Sequence, residues 1–167
     1  HGIVSEFTIG SNPTVMGYIN RTEFGGSGST FDATAILEKG LIQFDLKVVN
    51  APNTADAPWL FKVESNNGDT AVEVALTTSV EGQVPSAEWQ TFSFQLADLT
   101  AAGLDVSAID VLMIFPAWGA GEGAVYHVTN LTIASDGNVS PKLVLFEDAE
   151  NPNWPMWDCC GGSTPMV

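Results

Sequence analysis

The 167-residue chain is 45% hydrophobic, enough for one domain with a full core and too short for two ordinary ones. Twenty Asp and Glu against five Lys and Arg give a formal net charge of −15 at pH 7, which excludes nucleic acid, anionic membranes and strongly anionic polymers as partners. The acids are scattered singly, no apolar run reaches the roughly 18 residues of a membrane span, and the opening His1-Gly2-Ile3 has no export-signal pattern and reads as a piece of something larger.

Ile3 to Ile9 and Val15 to Asn20 carry short strand text. Over residues 41–49, Ile42, Phe44, Leu46 and Val48 alternate with Gln43, Asp45 and Lys47, the period-two pattern of a half-buried strand. Trp59, Phe61 and Val63 alternate with Leu60, Lys62 and Glu64. Asn66-Asn67-Gly68-Asp69 then supplies residues tolerant of left-handed backbone before Val72, Val74 and Leu76, so a hairpin is predicted. Gln90, Phe92, Phe94 and Leu96 alternate with Thr91, Ser93 and Gln95. Ala97, Leu99, Ala101 and Ala102 could form about two helical turns before Gly103 ends them, and at most a short helical turn is expected. Residues 111–115 and 125–133 read as two further strands. Many short strands separated by Gly, Pro, Asn and Asp predict an all-β fold, two antiparallel sheets packed as a jelly-roll sandwich.

Between the last two of these strands lies Pro116-Ala117-Trp118-Gly119-Ala120-Gly121-Glu122-Gly123, in which a tryptophan stands in a loop that supports neither strand nor helix. The indole offers a rigid apolar face and one N–H donor, which suits the flat C–H face of a pyranose. Trp118 is therefore a candidate platform for a sugar, together with Trp154 and Trp157 in the Pro-rich stretch near the C-terminus. For all three, ligand contact and local packing both stand open. Tyr18, Phe24 and Tyr126 are weaker platforms, while Trp59 and Trp89 fall in strand text and are expected to pack. Glu122, Asn20 and Arg21, near strand ends, are candidate partners for sugar hydroxyls. The alternative is an outward row of Gln43, Asp45, Lys47, Lys62, Glu64 and Glu73 lining a concave sheet face, against the plainer reading of a solvated face with weak ion pairs.

Cys159 and Cys160 are the only cysteines. They bond to each other, bond between molecules, or stay reduced. If bonded to each other they form a stiff apolar shelf beside Trp157. Zinc is not expected, because the pair lacks zinc-site spacing and His1 and His127 show no ligand pattern. There is no serine nucleophile elbow, phosphate loop or cofactor fingerprint, and Tyr126 and His127, as strand neighbours, face opposite ways. No catalytic role is expected.

The phrases Leu41-Ile-Gln-Phe-Asp-Leu-Lys-Val-Val49, Trp59-Leu-Phe-Lys-Val-Glu-Ser65, Glu88-Trp-Gln-Thr-Phe-Ser-Phe94 and Ala124-Val-Tyr-His-Val-Thr-Asn-Leu-Thr-Ile133 occur in that order. Together, over most of residues 2–134, they resemble the jelly-roll, galactose-binding-like carbohydrate-binding modules attached to bacterial, often marine, polysaccharide-degrading enzymes. The resemblance implies a secreted, non-catalytic module that docks a catalytic domain of its parent chain onto a neutral polysaccharide such as a β-glucan or algal galactan. A structural spacer domain is the alternative, and a small hydrolase or lyase a more distant one. Such modules open on text like Phe146-Glu147-Asp148, which here stands at the C-terminus with Trp157-Asp-Cys-Cys-Gly-Gly162. A piece cut across tandem copies, or a circularly permuted module, has this order. The expected organisation is a module over 1–135 that lacks its first strand, a linker over 136–141, and a segment over 142–167 that fills the slot in its own fold or by strand-swapped self-association. The resemblance also implies a structural calcium, for which Glu147 and Asp148 are the carboxylates and Asn130 a last-strand donor. Thr129-Asn130 here replaces the family's Asp-Asn pair and removes one charged ligand.

Overall fold

The computed structural model describes residues 1–12, 14–135 and 141–167. Its strands are β1 (Ser5–Thr8), β2 (Met16–Ile19), β3 (Gly40–Asn50), β4 (Trp59–Ser65), β5 (Thr70–Ala75), β6 (Gln90–Gln95), β7 (Ile109–Pro116), β8 (Val125–Ser135), β9 (Leu143–Phe146), β10 (Met156–Asp158) and β11 (Thr164–Met166). A short α-helix, α1 (Leu96–Ala101), follows β6 where the Ala and Leu spacing places a helical turn. The first sheet runs β11-β1-β8-β3-β6 and the second β10-β2-β7-β4-β5, with β9 also on β8. Pairing is antiparallel throughout both sheets. The order β1-β8-β3-β6 facing β2-β7-β4-β5 is a jelly roll, in which the chain crosses between the sheets at most steps and stays in one sheet at the β4–β5 hairpin.

The alternation seen in the sequence sorts side chains between core and surface. Ile42, Phe44 and Leu46 of β3, Phe61 and Val63 of β4, and Phe92 and Phe94 of β6 meet in one apolar core between the sheets. Ring contacts bind it together, with Phe61 stacked on Phe94 at 4.5 Å and Phe44 on Phe92 at 5.7 Å. At the β4–β5 hairpin, Asn66, Asn67 and Gly68 take φ of 50°, 58° and 88°. These are left-handed positions that Asn and Gly adopt at least cost.

The C-terminal segment joins the same sandwich. β9 pairs with β8 at Leu131–Ile133, whereas β1 pairs with it at Val125–Val128. β9 thus takes the half of that edge of β8 which β1 leaves. β10 pairs with β2 and β11 with β1, so residues 143–167 extend both sheets. The linker expected over 136–141 lies, apart from Pro141, outside the described residues.

The strand β7 departs from simple alternation, since all eight of its residues are buried. Its inward residues Leu112 and Ile114 enter the main core. Its outward residues Val111, Met113 and Phe115 belong to a second apolar cluster with Val15 and Ile19 of the β2 region. A sandwich sheet usually turns polar residues outward. Around β7 the second sheet turns apolar ones outward.

Candidate functional site

Strand registers lay out the outer face of the second sheet. Trp157 of β10 lies opposite Gly17 of β2, Gly17 opposite Met113 of β7, Met113 opposite Lys62 of β4, and Lys62 opposite Glu73 of β5. A parallel row runs Phe115, Leu60, Ala75, and another runs Ile19, Val111, Glu64, Ala71. Directly paired residues point to the same side of a sheet. The middle of this face is therefore apolar, and Leu60, Trp157 and Cys159 pack over the second cluster.

Two indoles border it. Trp157 is half-buried, its ring 5.6 Å from that of Phe24, which is itself exposed. Trp118 is 48% exposed and stands edge-on to Phe115 at 5.9 Å. Trp157 and Phe115 lie on strands two apart, which spacing alone sets at roughly 10 Å. Trp118 and Trp157 thus rise beside one face, with the sheet's apolar centre between them.

At one end the face turns polar. Arg21 donates from Nε to Asp110 Oδ2 (3.1 Å) and from Nη2 to Glu64 Oε1 (2.8 Å), and Lys62 lies 3.5 Å from Glu64. Burial opposes the Arg21 charge, but its hydrogen bonds to the Asp110 and Glu64 carboxylates and their negative charge outweigh it and hold the guanidinium above its ordinary value. Beside this network is a cavity of about 260 Å³ lined in part by Arg21, Thr22, Glu23, Thr30 and Asp110. Lys62 and Glu73 are paired across the β4–β5 hairpin.

Several sequence expectations are corrected by burial and topology. Trp154, only 2% exposed, is sealed in the main core, so it offers no platform. Tyr18 and Tyr126 are fully buried for the same reason. Asn20 is also buried: its Nδ2 donates to Ser27 Oγ and to the Asn153 carbonyl, each at 3.0 Å, so it serves the fold rather than an open site. Its Oδ1 is enclosed without a partner among the described residues. Glu122 is exposed on the loop after Trp118, where its carbonyl accepts from Asn53. The proposed row of Gln43, Asp45, Lys47, Lys62, Glu64 and Glu73 is divided between two surfaces, because β3 belongs to the first sheet and β4 and β5 to the second.

The outer face of the first sheet is charged. His1 Nε2 meets Asp45 (3.0 Å) and His127 Nε2 meets Glu6 (2.8 Å). Trp89 is covered there by the His1 ring, stacked at 4.0 Å. His127 points outward and Tyr126 inward, as strand alternation requires. Calcium needs about six to eight hard oxygens. Glu147 and Asp148 are exposed neighbours, and Asn130 turns its amide nitrogen to Asp45 (2.9 Å). Among the described residues no three His, Cys, Asp or Glu side chains gather as a metal cluster.

The outward apolar residues Leu60, Val111, Met113 and Phe115 are the part of the site that alternation reasoning missed. A signal was present: residues 111–115 are apolar without interruption, the mark of a strand covered on both faces.

No protein-family model matches the sequence. No curated protein matches it either. Among solved structures, the chain is similar to the family 30 carbohydrate-binding module of the cellulosomal cellulase Cel9D-Cel44B of Clostridium thermocellum, at 19% identity and a TM-score of 0.48, over 66% of this chain and 64% of that one. Two further family 30 carbohydrate-binding modules align at 18% and 17% identity with TM-scores of 0.47 and 0.48, each over 65% of this chain. The chain spans 55% to 64% of the length of these three structures.

Proposed function

We propose that this chain is a non-catalytic carbohydrate-binding module of an exported protein, which holds a neutral polysaccharide such as a β-glucan or algal galactan against the outer face of its second sheet. In that role it keeps an appended glycoside hydrolase on its substrate. The observation that carries this reading is the pair of solvent-reaching indoles, Trp157 and Trp118, held on the outer side of the second sheet by the buried cluster of Met113 and Phe115. Val111, Met113 and Phe115 are themselves buried, so the surface a ligand would meet is the layer of side chains over them, and partly exposed indoles such as Trp157 and Trp118 suit stacking on sugar rings. Lys62, Glu64, Glu73 and the Arg21 network would supply donors and acceptors for ring hydroxyls at the polar end of that face. The net charge of −15 favours a neutral chain over an anionic one. The bonded Cys159 and Cys160 accord with an oxidising, extracellular setting.

Affinity electrophoresis in native gels containing a panel of soluble neutral polysaccharides tests the reading. At least one polysaccharide should retard the protein, and Trp118→Ala and Trp157→Ala should each weaken binding about tenfold, the scale of a buried aromatic contact. Retardation by none of them, or binding untouched by both substitutions, would overturn it. Release of reducing ends during prolonged incubation would instead identify a hydrolase.

A further inference from the structure

We propose that the Cys159–Cys160 disulfide is itself part of the sugar-contacting surface, a flat sulfur platform that continues the Trp157 indole and makes glycan affinity depend on the redox state of the pair. This rests on the carbohydrate-binding reading of the second sheet.

Position is the first ground. Trp157 and Cys159 are two residues apart at the end of β10 and so share a face, and both pack on the apolar cluster of Val15, Ile19, Val111, Met113 and Phe115. Cys160 is exposed, so the bridge runs from the half-buried edge of that face outward to solvent. Gly161 and Gly162 follow at φ of 77° and 85°, left-handed backbone that glycine adopts at little cost, so the chain turns immediately after the exposed Cys160.

Immobility is the second. The Val15 amide donates to Cys159 Sγ at 3.4 Å, and the Cys159 amide returns a hydrogen bond to the Val15 carbonyl at 3.2 Å. The Asp158 carboxylate accepts from the Thr14 hydroxyl, from the Cys160 amide (3.2 Å) and from the Ser163 amide (3.1 Å). A surface held this firmly loses little entropy when a ligand settles on it.

The third ground is what the bond does not do. A disulfide stabilises a fold chiefly by removing loop entropy from the unfolded chain, and the effect grows with the length of chain enclosed. Cys159 and Cys160 are sequence neighbours and enclose no loop. The bond therefore adds little global stability, whereas it replaces two rotating thiols with one rigid, polarisable, apolar surface beside an indole. Its chemistry is reversible: an external dithiol transfers two electrons and two protons, the S–S bond breaks to give two thiols, and the dithiol closes to its own disulfide.

The test measures affinity for whichever polysaccharide the wild type binds best, with and without dithiothreitol, for wild type, Trp157→Ala and the double variant Cys159→Ser/Cys160→Ser. Thiol counting should find none in the untreated protein. Reduction and the double variant should each weaken binding about two- to tenfold, the range of a sulfur contact on a ring. The double variant should be indifferent to dithiothreitol, and circular dichroism should show the sandwich intact in every case. Two free thiols in untreated protein, affinity unchanged by reduction, or unfolding on reduction would each overturn the proposal. If Trp157→Ala abolishes binding while reduction leaves it unchanged, the disulfide role fails and the sheet-face reading stands. If neither Trp157→Ala nor Trp118→Ala affects binding, the sheet-face reading fails first.

Discussion

Trp157 stands directly opposite Gly17 across the β10–β2 pair, with Met113 on the far side of the glycine. No side chain separates the indole from the apolar centre of the face. A Cβ at residue 17 would come within 2.0 Å of the Leu112 carbonyl oxygen and 2.7 Å of the Met113 Cα, both backbone atoms that cannot rotate aside. Gly17→Ala should therefore force β2 away from β7 and cost about 3 kcal/mol of stability, read as a lowered urea midpoint. A midpoint equal to wild type would show that the two strands are less closely apposed.

Asp110 is a carboxylate with a side chain 3% exposed, neutralised by Arg21 and hydrogen-bonded by the Asn67 amide at 2.8 Å. Removing the guanidinium leaves that charge buried. Arg21→Ala is expected to destabilise by about 3–5 kcal/mol. The double variant Arg21→Ala/Asp110→Ala should recover part of the loss, because the orphaned charge is gone. Equal unfolding midpoints for the single and double variants would argue against the coupling.

Both tyrosines of the chain are fully buried. The Tyr18 hydroxyl donates to Ser5 Oγ at 2.7 Å and that of Tyr126 to the Ile114 carbonyl at 2.5 Å. Burial pushes both phenols well above their ordinary value. For such groups, the stability they contribute is complete below the unfolded-state value of about 10 and is lost as pH rises above it, because only the unfolded chain then releases the protons. Tyrosinate absorbance should thus appear together with loss of far-UV circular dichroism in an alkaline titration. Ionisation of either phenol in the folded protein would contradict this burial.

Trp154 and Trp118 should behave in opposite ways. Trp154→Ala empties a core site and is expected to cost about 3–5 kcal/mol. Trp118→Ala removes a ring 48% exposed, with a stability change within about 0.5 kcal/mol. Thermal unfolding of the two variants separates them. A strongly destabilised Trp118→Ala would mean that this indole holds its loop in place and is no free platform.

Much of the frame was legible from the chain. Ile42, Phe44 and Leu46 alternate with polar neighbours, and alternation alone assigns them to the core. Asn66-Asn67-Gly68 announces its own left-handed turn, and Leu96–Ala101 its helix. The site was legible only in fragments: Trp118, Trp157 and Arg21 border it, while Leu60, Met113 and Phe115 at its centre look like ordinary strand hydrophobics.

Strand identity, and which residues share one side of a strand, are local properties, because the side-chain period of two is written into the backbone itself. Whether a given side faces core, solvent or a second apolar layer depends on what lies above it, and that comes from residues distant in sequence. Trp154 and Trp157 are three positions apart with similar surroundings in the chain, yet one is enclosed between the sheets and the other lies on the outer face. Only the packing of β10 against β2, more than a hundred residues away in sequence, separates their roles.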